Sequence, residues 1–184
     1  TGAVVYGSQE AVHVVSPPFP VKQPGEWDGW RKEPLEAVLT ARLTIGVVLV
    51  RLSGYATGVF QGGLLLASKV GSAHVHGRHK AGGWSQQRFA RRREKQAREL
   101  YGRVCEAVVE HLGPHERSLD YVLLGGDRFT LQGFLAECPF LARLGERVLE
   151  RRLPVDQPNQ EALEAALEEA WASRVLSLGV PGRR

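Results

Sequence analysis

Residues Leu43–Val75, LTIGVVLVRLSGYATGVFQGGLLLASKVGSAHV, decide the fold. Three runs rich in β-branched and apolar residues, Leu43–Leu52, Tyr55–Gln61 and Leu64–Val75, are punctuated by Ser53-Gly54 and Gly62-Gly63. Short apolar runs joined by glycine-bearing turns predict an antiparallel three-strand meander. The most apolar run, Leu43–Leu52, is too short to span a bilayer, so no membrane partner is expected. The whole stretch also lacks Asp and Glu. A nuclease working through two metal ions needs clustered carboxylates, and these strands have none to supply.

Downstream the periods change. Arg88 to Leu112 carries an apolar stripe at Ala97, Leu100, Tyr101, Val104, Cys105, Val108 and Leu112, spaced by three and four, which predicts a helix. A strand follows at Tyr121–Leu124, closed by Gly125-Gly126, then a short helix over Thr130–Leu144, a strand over Arg147–Leu153 and a last helix over Asn159–Leu176. On that helix Leu163, Ala166, Leu167 and Ala170 face inward, and Glu161, Glu164, Glu168 and Glu169 form a solvated face. Three strands, helix, strand, helix, strand, helix is the order of an α/β, RNase H-like sandwich. Gly125-Gly126-Asp127 lacks the lysine of a phosphate-binding loop and reads as a tight turn.

With 184 residues the chain can build one domain with a real core. The expected division is an irregular N-terminal arm over residues 1–34 and an α/β domain over residues 35–184. The arm holds Pro17, Pro18, Pro20, Pro24 and Pro34, one β-like run at Val12–Val15, and Trp27 and Trp30, which are expected to tie it down by packing. Cys105 and Cys138 have neither metal spacing nor the look of a disulfide framework, so buried free thiols are expected, as suits a reducing cytosol. A soluble, cytoplasmic monomer is the expectation.

The segment between the meander and the long helix carries the chemistry: His79-Lys80-Ala81-Gly82-Gly83-Trp84-Ser85-Gln86-Gln87-Arg88-Phe89-Ala90-Arg91-Arg92-Arg93-Glu94-Lys95. Between Arg78 and Arg103 the cations are Arg78, Lys80, Arg88, Arg91, Arg92, Arg93, Lys95, Arg98 and Arg103, opposed by Glu94 and Glu99, a balance of 9 − 2 = +7. The whole chain is +4, so the remainder is net acidic. A localised basic patch of this kind suits phosphate, whereas alternating signs would suit a merely solvated face. Because the apolar stripe starts only at Ala97, the arginine-rich turns before it have little core to lie on and should project. Three arginines near a helix N-terminus oppose its dipole at about 0.3–1 kcal/mol each, a cost that a polyanion would offset. Ser85 reads as an N-cap, with Gln86 and Gln87 at the first helical positions and Trp84 and Phe89 forming a hydrophobic staple. Free backbone N–H groups and two carboxamides then crowd one helix tip, able to bind an anion or orient a water. Gly82 and Gly83 let the preceding backbone approach a partner closely.

Other chemistries fit less well. His74, His76 and His79 resemble part of a zinc site, but no carboxylate or cysteine nearby completes four ligands, so no metal is expected. Ser85 has no base beside it in sequence and Cys105 belongs to the buried stripe, which disfavours nucleophilic catalysis.

These residues resemble the middle domain of eukaryotic and archaeal class I translation release factors. In that family a histidine and a basic spacer precede Gly-Gly-Gln, then Ser and Arg-Phe-Ala-Arg at the start of a long basic helix. Here His79, Gly82-Gly83, Ser85 and Arg88-Phe89-Ala90-Arg91 match, and Glu94-Lys95 and Tyr101 continue the pattern. The place of the family's catalytic glutamine is taken by Trp84. Gly83-Trp84-Ser85-Gln86 instead resembles the Gly-x-x-Gln variant of the Vms-like release factors, peptidyl-tRNA hydrolases of ribosome-associated quality control. The resemblance implies a release-factor middle-domain fold and metal-independent, codon-independent hydrolysis of peptidyl-tRNA on the large ribosomal subunit. It implies Gly82, Gly83 and Gln86 as catalytic, with Trp84, Ser85, Gln87 and His79 in the same loop and Gln87 a rival for the reacting amide. Arg78, Lys80, Arg88, Arg91, Arg92, Arg93, Lys95 and Arg98 are the residues expected to hold ribosomal RNA and the tRNA end. No cofactor is implied. A non-catalytic ribosome-binding rescue factor and a nuclease cutting the tRNA acceptor end are the alternatives.

Overall fold

The computed structural model describes residues 2–22, 24–73 and 84–179, without the side chains of residues 84–87 and 89. The chain divides into two compact units, Leu43–Leu167 and a smaller one made of Thr1–Arg42 with Glu168–Arg184. Among the described residues no helix is long and apolar enough to cross a membrane.

In the smaller unit β1 (Val4–Gly7) and β2 (Ala11–Ser16) form an antiparallel hairpin. A short helix α1 (Glu33–Leu39) follows. The hairpin corrects the expectation of an irregular arm. Ser8, with its backbone N–H and its hydroxyl both bound to the Ala11 carbonyl, closes a turn of the kind that serine favours. Tyr6 stacks on Trp30 with ring centroids 4.9 Å apart, and its hydroxyl donates to the Arg31 carbonyl. Trp30 therefore anchors the segment although most of its surface stays exposed.

The larger unit contains the meander as read. β3 (Thr44–Arg51), β4 (Gly54–Gln61) and β5 (Leu64–Ser72) pair antiparallel through two tight turns. After residues 74–83 the chain enters α2 (Trp84–Leu112), then β6 (Tyr121–Gly125), α3 (Arg128–Glu137), α4 (Pro139–Leu144), β7 (Val148–Leu153) and α5 (Gln160–Trp171). β6 lies parallel to β3 and β7 parallel to β6, which gives the sheet order β5-β4-β3-β6-β7. This is the RNase H-like α/β sandwich. Val48, Val50, Tyr55, Val59, Val122 and Leu124 on one face of the sheet join α2, α3 and α4 in the main core. The opposite face receives α5: Leu163 lies against Gly58, where a Cβ would collide with it. Asp120 fastens the start of β3 by accepting from the Thr44 N–H at 2.8 Å.

Two boundaries and the state of the cysteines differ from the sequence reading. The helix expected over Thr130–Leu144 is two helices, because Pro139 restricts the residue before it and Cys138 sits outside helical geometry at φ −120°, ψ 87°. The last helix stops at Trp171, and Arg174–Gly179 forms β8 beside β2, with Leu176 opposite Val14 and Leu178 opposite Val12. Tertiary pairing of a Val-Leu-Ser-Leu alternation overrides the helical continuation. Finally, Cys105 and Cys138 are not free thiols but a disulfide, with Cα atoms 5.3 Å apart. The helical stripe turns Cys105 toward the α3–α4 junction, and Cys138 occupies that junction; a separation of 33 residues hides this in the sequence.

Gly125-Gly126-Asp127 is a tight turn, as expected. Gly126 has φ +145°, and a Cβ there would strike the Val50 carbonyl oxygen. Asp127 caps α3: its side chain accepts from the Thr130 N–H at 2.9 Å and faces Arg51 at 3.7 Å. Burial pushes the Asp127 carboxyl up, but hydrogen bonds from Thr130 and the Arg51 charge outweigh this and hold it below its ordinary value. Replacing Asp127 by Ala should destabilise the protein by about 1 kcal/mol at neutral pH, measured by chemical denaturation. A depressed carboxyl contributes stability above its unfolded value, near pH 4, and loses it as pH falls through the lower folded value. The gap between wild type and variant should therefore close in acid; a gap that persists at low pH would contradict the assignment.

Candidate nucleic-acid interface

α2 has two physical halves. From Leu100 onward Leu100, Tyr101, Val104, Ala107, Val108 and Leu112 are buried against the sheet and α3, and Ala97 and Cys105 pack at the border. Leu112 reaches the start of β3, where it fills the space beside Gly46. Toward the N-terminus burial ends. Arg88, Ala90, Arg91, Arg92, Glu94, Lys95, Arg98 and Glu99 are exposed, and Arg93, Gln96 and Ala97 are intermediate. The turns from Trp84 to Gln96 make up about 20 Å of helix at 1.5 Å per residue, with no buried residue among those whose side chains are described.

The charge on this segment is largely uncompensated. Lys95 pairs with Glu99 at 3.8 Å one turn later. Among the described residues no carboxylate pairs with Arg88, Arg91, Arg92, Arg93 or Arg98. Arg88 and Arg92, and Arg91 and Lys95, instead stand at the like-charged i,i+4 spacing, which costs about 0.2–0.5 kcal/mol per pair. Such a surface is stable as a helix only because the other half is anchored, and its charge would attract anions.

The described part of the helix already includes Trp84, one residue before the expected cap. Ser85 is thus inside the helix rather than capping it, and Gln86 is helical as well. Arg91, Arg92 and Arg93 lie about two turns in, where the dipole has faded, so the penalty expected for them at the N-terminus is smaller than the sequence suggested.

Several expected site residues fall beyond this geometry. His74, His76, Arg78, His79, Lys80, Gly82 and Gly83 lie outside the described residues, as do the side chains of Trp84, Ser85, Gln86, Gln87 and Phe89. The basic set Arg88, Arg91, Arg92, Arg93, Lys95 and Arg98 is brought together on one helix.

Tyr101 locks α2 to α3. Its ring lies 6.5 Å from that of Phe134 and occupies the space where a side chain on Gly133 would stand. Burial raises its phenol above the ordinary value; a hydrogen bond shared with Thr130 opposes this and the Asp127 charge adds to it. Sequence reading missed the part of Asp127 and Thr130 in this joint, although an Asp just after a glycine pair is a candidate helix N-cap.

Comparison with known proteins agrees with this architecture. A family model described as the Actinobacteria/chloroflexi VLRF1 release factor matches residues 43–176. Peptide chain release factor subunit 1 of Methanopyrus kandleri is 31% identical over 138 residues, which cover 75% of this chain and 33% of that protein. The same subunit of Archaeoglobus fulgidus is 30% identical over 102 residues, covering 55% of this chain and 25% of that protein. The chain thus spans a quarter to a third of the length of these relatives. Among solved structures, the crystal structure of the archaeal translation termination factor aRF1 superposes with a TM-score of 0.53 at 19% identity, covering 76% of this chain and 38% of that one. With the meander, the basic helix and the parallel strands all inside the matched span, the chain belongs to the VLRF1 release factor family.

Proposed function

We propose that this chain is a codon-independent peptidyl-tRNA hydrolase that frees nascent chains stalled on the large ribosomal subunit. The observation that carries the reading is the projecting half of α2, with its arginines unpaired among the described residues and just downstream of the sequence Gly82-Gly83-Trp84-Ser85-Gln86. The buried half of the helix fixes the direction of the tip, and the basic turns hold ribosomal RNA and the tRNA acceptor end through phosphate contacts that carry affinity without sequence reading. Gly82 and Gly83 bring the backbone close to the ester, and Gln86 places a water against its carbonyl through its carboxamide or its backbone N–H. Gln87 is the competing amide. The donors of the first helical turn stabilise the oxyanion, and displacement of bulk water makes them effective. The reaction needs no metal and no cofactor, and the protein works as a cytoplasmic monomer on the large subunit and its peptidyl-tRNA. Trp84, standing where release factors place glutamine, favours one second reading: a rescue factor that fills the site without cleaving.

Gln86→Ala should lower peptide release from large subunits carrying peptidyl-tRNA by on the order of 10²–10³-fold, with subunit binding retained. Unchanged release would transfer the role to Gln87 or to the backbone alone. Replacing Arg91, Arg92 and Arg93 together by Ala should weaken subunit binding and flatten its salt dependence by about 0.7–0.9 log units per lost phosphate contact. An unaltered slope would reduce these residues to a solvated face.

A further inference from the structure

The face of α2 that meets α3 is fixed by contacts: Cys105 is bonded to Cys138, and Tyr101 packs on Gly133 and Phe134 and shares a hydrogen bond with Thr130. Continued toward the N-terminus at the same spacing of four and three, this stripe runs through Arg98, Glu94 and Arg91. α3 starts at Arg128, two residues before the Thr130 that meets Tyr101. Its first turn therefore stands beside the Arg98 level of α2, and among the described residues no element of the larger unit continues α3 over Glu94 and Arg91. The two helices make an open corner, with a basic stripe as one wall and the first turn of α3 as the other.

That first turn carries Arg128 and Phe129, both exposed. Phe129 is 81% exposed, the highest value among the large apolar side chains described. It is held out on rigid backbone: Asp127 caps the helix and faces Arg51, and Thr130 next to Phe129 is buried. A firmly displayed aromatic beside uncompensated arginines matches the chemistry of single-stranded nucleic-acid binding, in which bases stack on aromatic faces and phosphates meet cations. Burial does not account for Phe129, and the charge of the corner, Arg91, Arg98 and Arg128 against Glu94, suits a polyanion.

We propose that this corner is a second RNA contact, in which Phe129 stacks on an unpaired base and Arg128, Arg98 and Arg91 hold the flanking phosphates. The proposal rests on the RNA-binding reading of α2 and adds a site outside the catalytic loop. It makes the larger unit grip unpaired RNA between two helices rather than touch phosphate along one.

The test is fluorescence anisotropy of the full chain with a short labelled oligoribonucleotide lacking secondary structure and with a hairpin RNA, each over a range of salt. Phe129→Ala should weaken binding of the single strand by about tenfold, leave the salt slope unchanged and affect the hairpin stem little. Phe129→Tyr should restore wild-type binding. Arg128→Ala should lower the slope by about 0.7 log units. Because Phe129 is exposed, thermal melting of Phe129→Ala should match wild type. Wild-type affinity of Phe129→Ala, alongside loss of binding when Arg91, Arg92 and Arg93 become Ala, would overturn the corner and leave the basic-helix reading standing. Equal weakening toward single strand and stem would overturn stacking, and no binding by the wild type would overturn both readings.

Discussion

The structure depends on the burial of one half of α2. Leu100, Val104, Val108 and Leu112 lose essentially all contact with water between the sheet and the α3–α4 layer. Each such side chain contributes about 1.5–3 kcal/mol. The like-charged pairs Arg88–Arg92 and Arg91–Lys95 oppose helix formation by only about 0.2–0.5 kcal/mol each. One anchored leucine therefore offsets both repulsions, which explains how a helix with so basic an outer half forms. Tyr101 and the Cys105–Cys138 bond secure the same half sideways to α3 and α4. The helix thereby acts as a lever whose fixed end is core and whose free end is the exposed basic half.

The lever separates requirements that conflict in a compact site. Under the proposed function the tip would enter a narrow, RNA-lined space, so it could not be surrounded by its own domain, and it would place a water within hydrogen-bonding distance, so it could not swing freely. A continuous helix from Trp84 to Leu112 meets both needs, since direction is set in the core and access is left to the exposed turns. The end of the sheet that holds the β3–β4 turn also carries Gly126, Asp127 and the first turn of α3. The C-terminal ends of β3 and β6 thus bring Arg51, Asp127, Arg128 and Phe129 to the side of the molecule from which the basic helix emerges. Ligands commonly bind beyond the carboxyl ends of parallel strands in α/β sheets, and the proposed corner lies at that end.

The parts legible in the sequence were those governed by local period. The meander showed in its glycine punctuation, and α2 showed in a stripe that begins at Ala97 and runs to Leu112. The parts that escaped were governed by distant partners. β8 reads as helix until β2 is known to lie beside Val175 and Leu176, and Cys105 reads as a thiol until Cys138 is brought to it across 33 residues. Of the N-terminal hairpin only β2 was legible, as the Val12–Val15 run, because proline density downstream of Ser16 masked the Val4–Gly7 run. At the candidate site the basic residues were legible because charge is local, whereas the exposed Phe129 was not, since nothing in the sequence says that an aromatic between Arg128 and Thr130 faces solvent.

Large subunits carrying a peptidyl-tRNA labelled on both peptide and nucleic acid, incubated with the purified protein, test the central claim most directly when both products are resolved. The account predicts free peptide together with full-length deacylated tRNA, because the ester is the only bond broken. Shortened tRNA still attached to peptide, or stable subunit binding with no cleavage, would contradict it.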